Sequence, residues 1–233
     1  MDNMPFILDE TGDFAVVFKP PKMHSRGQGT NAKEQGTLFS WYSMQSPLIF
    51  DIMHRLDYET QGLVLFAKNN KSHDFFKTAQ DKGEFTKEYS AVCQKIDSSK
   101  IIEGFPEKKL MPPLEAPFVI ESYFRPFGPG RKLVRPVTDD SKKHKEIAKN
   151  RDGFYKTEIK NIKDNVLTVQ IKRGFRHQIR CHLCWIGFPI LNDPLYPVPA
   201  EEPLGELSLR AHALYFPDPG GGKEREYRIQ SLC

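Results

Sequence analysis

The feature that most constrains the fold is a short apolar run, residues 63–68, that follows a charged segment ending in a glycine. A short apolar run with β-branched and aromatic residues is typical of a buried strand. The charged segment, residues 54–62, indicates a loop that delivers side chains to the end of that strand, and such loops often carry functional groups. Asp57 is the residue to explain, because its carboxylate lies two positions after an arginine and just before the apolar run.

Asp57 has two interpretations. An isolated aspartate in a loop usually caps a turn or pairs with a neighbouring cation on the surface, in this sequence Arg55. The whole segment, however, resembles the H-R-L-D-x-x-T-S-G signature of the RluA-type family of RNA pseudouridine synthases. The positions that match are His54, Arg55, Leu56, Asp57, Thr60 and Gly62. Gln61 replaces the serine, and the resemblance implies that Asp57 is the catalytic carboxylate.

A second segment, residues 174–183, resembles the family's pattern G-R-x-H-Q-I-R-x-H-L. The matching positions are Gly174, His177, Gln178, Ile179, Arg180, His182 and Leu183. Phe175 stands where the family has arginine, and Arg176 beside it is a candidate substitute. If residues 174–185 form a helix, Arg176 and Arg180 share one face, where two arginines are more often surface charges than ligands. The resemblance instead implies that Arg180 is the partner that keeps Asp57 charged.

A tyrosine in a predicted strand, such as Tyr89 in residues 85–93, usually belongs to the core. Alternation places Tyr89 on one face of the strand with Lys87 and Ala91, and these three residues match the family's K-x-Y-x-A pattern. By resemblance, Tyr89 stacks on the uracil and serves as an acid or base near its C5 atom. Further matches at residues 189–193 and 211–216 continue the resemblance in the family's order.

The resemblance implies an α+β pseudouridine synthase fold, with a long, mixed, mostly antiparallel β-sheet, flanking helices and a central RNA-binding cleft. Periodicity agrees with it, since it predicts strands over 14–18, 118–123, 155–162, 166–171, 209–216 and 226–229 and helices over 37–45 and 70–82. At 233 residues the chain suits one large domain or two small ones. Because no linker precedes the central motif, we expect a single catalytic domain over residues 1–233 without a separate N-terminal RNA-binding module.

The composition indicates a soluble, cytoplasmic protein without a membrane partner, and we expect a monomer. No apolar run approaches the roughly 20 residues that cross a bilayer, and the N-terminus lacks a signal-peptide pattern. Four scattered cysteines form no disulfide framework. Cys181 and Cys184 lie near His177 and His182, but a structural zinc site usually takes its four ligands from two separated pairs. Two buried cysteines in a helix would show the same spacing, and we expect no metal.

The net charge of +4 and the pI near 8.7 are compatible with a nucleic-acid partner but are weak evidence alone. Two basic stretches, residues 125–136 and 139–152, either form solvated faces or contact phosphates, where lysine and arginine displace counterions. Residues 95–113 carry further lysines and few apolar residues, and we expect them to form a mobile loop.

The activity implied by the resemblance is the isomerisation of specific uridines to pseudouridine in structured ribosomal or transfer RNA. The reaction adds no group and changes no oxidation state, so we expect no cofactor. The carboxylate either attacks as a nucleophile or removes a sugar proton. By resemblance, Arg55 takes the place of the base that flips out of its stack. The implied substrate-binding set is Arg55, His54, Thr60, Arg176, His177 and Gln178.

Two other classes remain open. An RNA-binding protein on a synthase scaffold, without turnover, is favoured by the two departures from the family's patterns, Gln61 and Phe175. A hydrolase with an aspartate nucleophile is the second, although no general base for water is apparent in the sequence. The presence of Asp57, Tyr89 and Arg180 favours the synthase.

Overall fold

The computed structural model describes residues 4–27, 35–46, 48–96, 104–106, 115–138, 154–196 and 204–232. The chain divides into two compact units. The first unit contains Met1–Tyr89 and Leu209–Ser231, and the second contains Ser90–Ser208 and Leu232–Cys233. Whether they act as the single predicted domain stays a prediction.

The described residues form three α-helices and eleven strands. In chain order they are β1 Phe6–Glu10, β2 Phe14–Lys19, α1 Leu38–Gln45, β3 Asp51–Ile52, β4 Gln61–Ala67, α2 Asn70–Asp81, β5 Thr86–Val92, β6 Phe118–Phe127, β7 Leu133–Val137, β8 Tyr155–Lys163, β9 Val166–Ile171, α3 Gln178–Trp185, β10 Leu209–Phe216 and β11 Arg225–Arg228. Within the described part of the chain, no helix is long and apolar enough to cross a membrane.

The first unit is built on a mixed sheet with the strand order β1-β2-β4-β10-β5. Strand β3 pairs with β4, and β11 pairs with β10. The β10–β4 pairing is parallel, whereas the β1–β2, β2–β4, β3–β4 and β10–β11 pairings are antiparallel. All seven residues of β4 are buried, so the apolar run of the sequence is indeed a central strand.

The core of the first unit lies between this sheet and α2. Phe76 and Ala79 of α2 are buried, as its amphipathic pattern predicts, and Phe75 is partly buried against the same cluster. Helix α1 begins after Thr37, whose hydroxyl accepts a hydrogen bond from the amide of Ser40. This capping interaction confirms the predicted helix start, because a side-chain oxygen satisfies an amide that the first turn cannot.

The second unit contains an antiparallel sheet with the strand order β9-β8-β6-β7. The predicted hairpin of β8 and β9 is confirmed, and Asp164 in its turn has a positive φ of 55°. Strand β6 continues to Phe127 and returns through a short 3-10 turn, Pro129–Arg131, into β7. The basic stretch 125–136 is therefore a hairpin. Its Arg135 is buried, with its guanidinium 4.3 Å from the ring centres of both Phe105 and Phe127.

Helix α3 is shorter than the possible helix over residues 174–185. It begins at Gln178, because His177 has a left-handed backbone with φ of 56°. Arg176 therefore lies outside the helix, and the interpretation that Arg176 and Arg180 share a helical face is wrong. Cys181 and Cys184 are buried in an apolar cluster, as two core cysteines would be.

Two features of the sequence fall mainly outside the described residues: the charge run 139–152 and most of the lysine-rich stretch 95–113. The described remainder agrees with the predicted fold class, an α+β protein with a mixed and mostly antiparallel sheet and three helices. The central cleft stays a prediction.

Candidate active site

The loop that carries Asp57 lies just before β4 in the first unit. Ser25 holds the backbone of this loop in place, because its hydroxyl donates to the carbonyl of Leu56 and accepts from the amide of Leu56, both at 2.9 Å. The amide of Thr60 donates to the carbonyl of Asp57 at 3.1 Å and closes the turn. The side chain of Asp57 is only partly buried. The loop therefore presents a carboxylate from a backbone that hydrogen bonds hold in place.

A buried lysine, Lys19 at the end of β2, ties this loop to the preceding one. Its Nζ donates to the carbonyls of Pro20 at 2.9 Å, Met23 at 2.7 Å and Tyr58 at 3.3 Å, which matches the three donors of an ammonium group. Burial lowers the pKa of Lys19 to about 7, and the charges of Asp57 and Glu59 oppose that shift. In its ammonium form, Lys19 is thus a cation that acts on Asp57 within the first unit, and it was not singled out from the sequence.

His54, at the start of the same loop, forms a hydrogen bond with the strand that follows the loop. Its Nε2 accepts a hydrogen bond from the amide of Leu65 in β4 at 3.2 Å. Burial, and next the positive charge of Lys87, hold the pKa of His54 well below its ordinary value. His54 is therefore neutral, with its proton on Nδ1, and Nδ1 has no hydrogen-bond partner among the described residues. His54 thus acts as an acceptor for the strand that follows Asp57.

Tyr89 and Lys87 lie on one face of β5, as alternation predicts, and both are buried. Burial raises the pKa of the Tyr89 hydroxyl, and the negative charge of Asp57 raises it further. Tyr89 therefore stays a neutral phenol. Burial lowers the pKa of Lys87 to about 8, and its Nζ lies 5.0 Å from the ring centre of Phe85. The first unit thus brings Asp57 and Tyr89, two of the predicted catalytic residues, within electrostatic reach of each other.

The remaining positions of the first motif differ in their exposure to solvent and in their contacts. Arg55 is exposed, whereas Thr60 is buried and its hydroxyl has no hydrogen-bond partner among the described residues. Gln61 accepts two hydrogen bonds from the guanidinium of Arg210, at 2.7 and 3.2 Å. Gly62 has a φ of +132°, and a Cβ there would lie 2.3 Å from the carbonyl oxygen of Ala211. The motif's glycine is therefore required by the close approach of β4 and β10.

In the second unit, Arg180 is 1% exposed, so the alternative of a surface charge is wrong. Its Nε donates to Asp193 Oδ2 at 2.8 Å and its Nη2 donates to Asp193 Oδ1 at 2.6 Å. Asp193 Oδ1 also accepts from the amides of Leu195 and Tyr196. A carboxylate held by two amides therefore fixes the orientation of the guanidinium in a bidentate pair.

Sequence reasoning missed Asp193 as a functional residue. Its one signal was its place in residues 189–193, which match a further pattern of the family. Nothing in that pattern indicated Arg180 as its partner.

The other candidate residues of the second unit lie around the start of α3. Arg176 donates through Nη2 to the carbonyls of Arg131 at 2.7 Å and Leu133 at 3.3 Å. His177 Nδ1 lies 3.3 Å from the hydroxyl of Tyr196.

Gln178 is buried, and its amide nitrogen donates to the carbonyl of Lys156 at 2.9 Å and to the hydroxyl of Thr157 at 3.0 Å. Its Oε1 accepts from the amide of Phe175 at 2.9 Å. The structure thus shows Gln178 bonded within the fold, and its predicted contact with substrate stays a prediction.

Phe175, at the position of the family's arginine, packs into the apolar cluster of the second unit. Its ring stacks on that of Phe124 at a centroid distance of 5.0 Å and an interplanar angle of 4°. The departure from the family pattern thus has a packing role. Among the residues that the structure describes, no three His, Cys, Asp or Glu side chains are grouped as ligands of a metal ion.

Comparison with known proteins gives three consistent findings. The sequence profile of the family described as RNA pseudouridylate synthase matches residues 13–185. An uncharacterized protein of Caenorhabditis elegans is 32% identical over 193 residues, which is 82% of this chain and 38% of that protein. An uncharacterized RNA pseudouridine synthase of Zymomonas mobilis is 30% identical over 164 residues, which is 70% of this chain and 65% of that protein. The matched part thus spans less than two thirds of both relatives.

Solved structures show the same fold. The human protein named RNA pseudouridylate synthase domain containing 1 aligns with a TM-score of 0.69 over 98% of this chain and 84% of its own, at 18% identity. Its counterpart named domain containing 4 aligns with a TM-score of 0.63 over 97% and 88%, at 17% identity. These likenesses support the α+β fold that the sequence predicts.

Proposed function

Because the chain belongs to the RluA-type family of RNA pseudouridine synthases, we propose that it isomerises uridine to pseudouridine in structured ribosomal or transfer RNA, with Asp57 as the essential carboxylate. The observation that carries the proposal is the loop before β4. It presents a partly exposed carboxylate from a fixed backbone, and Tyr89 lies close enough for the charge of Asp57 to raise its pKa.

The proposed reaction detaches uracil from its sugar, turns it and rejoins it through carbon. It has no net redox change and adds no atom, so its chemistry requires a carboxylate near the anomeric carbon rather than a redox group. Asp57 acts there either as a nucleophile, as in retaining glycosidases, or as a base toward a sugar proton. Both roles require the ionised form of the carboxylate.

Two cations support that ionised form. Lys19 favours the anion electrostatically from within the first unit. Family resemblance assigns the second role to Arg180, whose guanidinium Asp193 orients in the second unit. A charge-assisted hydrogen bond from a guanidinium favours the anion over the protonated acid. On family resemblance, we therefore keep Arg180 among the proposed catalytic residues.

Tyr89 suits the role of a platform for the detached base. Its hydroxyl remains protonated, since burial and the charge of Asp57 both raise its pKa. A neutral phenol ring can stack on uracil while the base turns, and its O–H can donate to the base but does not supply a phenolate. Tyr89 is accordingly assigned as a stacking platform and hydrogen-bond donor, and not as a base.

The exposed guanidinium of Arg55 is assigned to the space that the flipped nucleotide vacates, which offsets part of the few kcal/mol lost on unstacking. The other five candidates are assigned to the surroundings of that nucleotide. They are His54, Thr60, Arg176, His177 and Gln178. The internal hydrogen bonds of His54 and Gln178 support an indirect contribution, through the loop before β4 and the start of α3 respectively.

The experiment that tests the proposal is incubation of the purified chain with RNA containing 5-fluorouracil. We expect a covalent adduct or a rearranged product, because a working synthase opens the glycosidic bond of the analogue. An RNA-binding protein without turnover would retain the RNA and leave it unchanged, which would contradict the proposal. Mapping pseudouridines in RNA from cells with and without the protein then identifies the RNA and the uridine.

A further inference from the structure

Beside Asp57 the first unit exposes a pair of rings that the proposed reaction does not use. Tyr58 directly follows Asp57 and is 42% exposed. His24, on the loop after β2, is also exposed, and its ring centre lies 4.7 Å from that of Tyr58 at an interplanar angle of 42°. Tyr58 was not assigned from the sequence because position 58 is variable in the family's signature, and His24 lies outside the matched motifs.

The two rings contact each other and make few other contacts within the fold. Neither ring makes a hydrogen bond or ion pair with any residue in the described ranges, and neither belongs to a buried cluster. By contrast, their backbones are fixed. The carbonyl of Tyr58 accepts from Lys19 Nζ at 3.3 Å and from the amide of Met23 at 3.2 Å, and the carbonyl of His24 accepts from the amide of Leu38 at 2.9 Å.

The charge around the pair suits RNA. Arg55 and Lys22 are both exposed and lie within three residues of Tyr58 and His24 respectively along the chain. Exposed aromatic rings on fixed backbone, next to cations, are the usual platform for unstacked bases of single-stranded RNA. Tyr58 directly follows Asp57 in the chain, and the neighbouring nucleotide is the one that this adjacency makes the natural occupant of the ring.

We infer that Tyr58 and His24 form a stacking platform for an unpaired RNA base adjacent to the target uridine. The inference rests on the proposed function, and it makes the neighbouring base a determinant of substrate choice. Purines present a larger stacking surface than pyrimidines, so the platform favours a purine beside the target. Lys22 supplies a contact to a flanking phosphate, and Arg55 keeps its place in the space that the flipped nucleotide vacates.

The test uses a library of RNA hairpins in which the bases on both sides of one loop uridine are randomised, and pseudouridine is read by sequencing. For the wild type we expect pseudouridine with a purine preference at one neighbouring position. Tyr58→Ala should abolish that preference and lower kcat/KM about 5- to 150-fold, which is the range that the stacking energy of one base on an aromatic ring corresponds to. Tyr58→Phe should keep both, because it keeps the ring.

Phe50 provides a matched control. It is 45% exposed and contacts a histidine, His73, at a centroid distance of 5.0 Å, but it lies beside Ala67 at the other end of β4. Phe50→Ala should leave the neighbour preference unchanged. His24→Ala, as a second variant, should weaken the preference less than Tyr58→Ala, and thermal melting should show that all variants fold.

The same hairpins with 2-aminopurine at the preferred neighbour provide a binding readout that needs no turnover. The wild type and Tyr58→Phe should quench its fluorescence, and Tyr58→Ala should not. Equal quenching and equal neighbour preference in Tyr58→Ala would overturn the platform. If the wild type forms pseudouridine in no RNA, the proposed function fails, and the fluorescence comparison, with 2-aminopurine placed in turn on either side of the loop uridine, then decides on the platform alone.

Discussion

Asp57 is carried by a loop whose backbone is fixed, whereas Arg180 is fixed through its own side chain. In the first unit, Ser25 and Lys19 bond to carbonyls and amides of the loop and leave the carboxylate partly exposed. In the second unit, the guanidinium of Arg180 is buried and held by both oxygens of Asp193. The difference matches their proposed tasks, since a reacting group must reach its substrate and a supporting charge must keep a set orientation.

Breaking the support of Arg180 should have the largest effect. Asp193→Asn removes the charge that pairs with a buried guanidinium, which typically costs about 3–5 kcal/mol because the remaining charge is desolvated. We expect that loss in the free energy of unfolding, measured with urea, together with loss of pseudouridine formation. The double variant Asp193→Leu/Arg180→Met should recover part of the stability and none of the activity. An Asp193→Asn protein of full stability would contradict this view of the pair.

Breaking the support of the Asp57 loop should lower the reaction rate, and the loss of three hydrogen bonds from a buried lysine should also lower the free energy of unfolding. Lys19→Met leaves three carbonyls without their donor and removes a cation near Asp57. A small displacement of a catalytic group can cost about 100-fold in rate, and we expect a loss of this order in single-turnover experiments with RNA affinity retained. Lys68→Met, which removes a lysine near the other end of β4, is the control and should change the rate little.

Measurements at acid pH should sharpen the comparison, because each unit contains a histidine whose pKa burial lowers. Burial lowers the pKa of His54 well below its ordinary value and that of His182 to about 3. Unfolded histidine titrates near pH ~6.5, so the unfolded chain binds more protons below that pH and the free energy of unfolding falls from about pH 6.5 toward pH 3. Urea unfolding at several pH values measures the slope.

The contribution of the first unit to that slope can be removed with His54→Leu. This variant should flatten the acid dependence and cost about 1–2 kcal/mol at neutral pH, since the amide of Leu65 loses its acceptor. Imidazole resonances of His54 that titrate near their ordinary pH in the wild type would show that the charge of Lys87 and burial do not keep it neutral.

The smallest effect is expected at Gln61. Restoring the family's serine, Gln61→Ser, removes the acceptor of two hydrogen bonds from Arg210, a partly exposed side chain that also donates to the carbonyl of Gln230. We expect a loss below about 1.5 kcal/mol in unfolding free energy and an unchanged rate of pseudouridine formation. A large change in rate would show that the departure at position 61 is functional.

Local patterns predicted the elements well where one residue type fixes the backbone. Thr37 begins α1 because its hydroxyl caps the helix, and the β8–β9 turn forms at residues 163–165, where Asp164 accepts a positive φ. The start of α3 was predicted too early, because the left-handed backbone of His177 depends on the surrounding fold and not on local propensity.

The residues of the candidate site likewise fall into those that the sequence could predict and those that it could not. Three family patterns located Asp57, Tyr89 and Arg180 along the chain, because their residue types and spacing are specific. The supporting residues could not be found from sequence, since a buried ammonium at Lys19 and the pairing of Asp193 with Arg180 arise only when distant segments meet. Strand β2 ends at Lys19 and is followed by Pro20, which by itself indicates only where strand pairing stops.

The most direct measurement of the central claim is pseudouridine formation by Asp57→Asn, with RNA binding measured on the same preparation. The substitution keeps the size of the side chain and removes its charge, so we expect no detectable pseudouridine at wild-type RNA affinity. Asp74→Asn, which neutralises an exposed carboxylate on α2 of the same unit, should retain full activity. Turnover by Asp57→Asn at a rate near that of Asp74→Asn would contradict the assignment of Asp57 as the catalytic carboxylate.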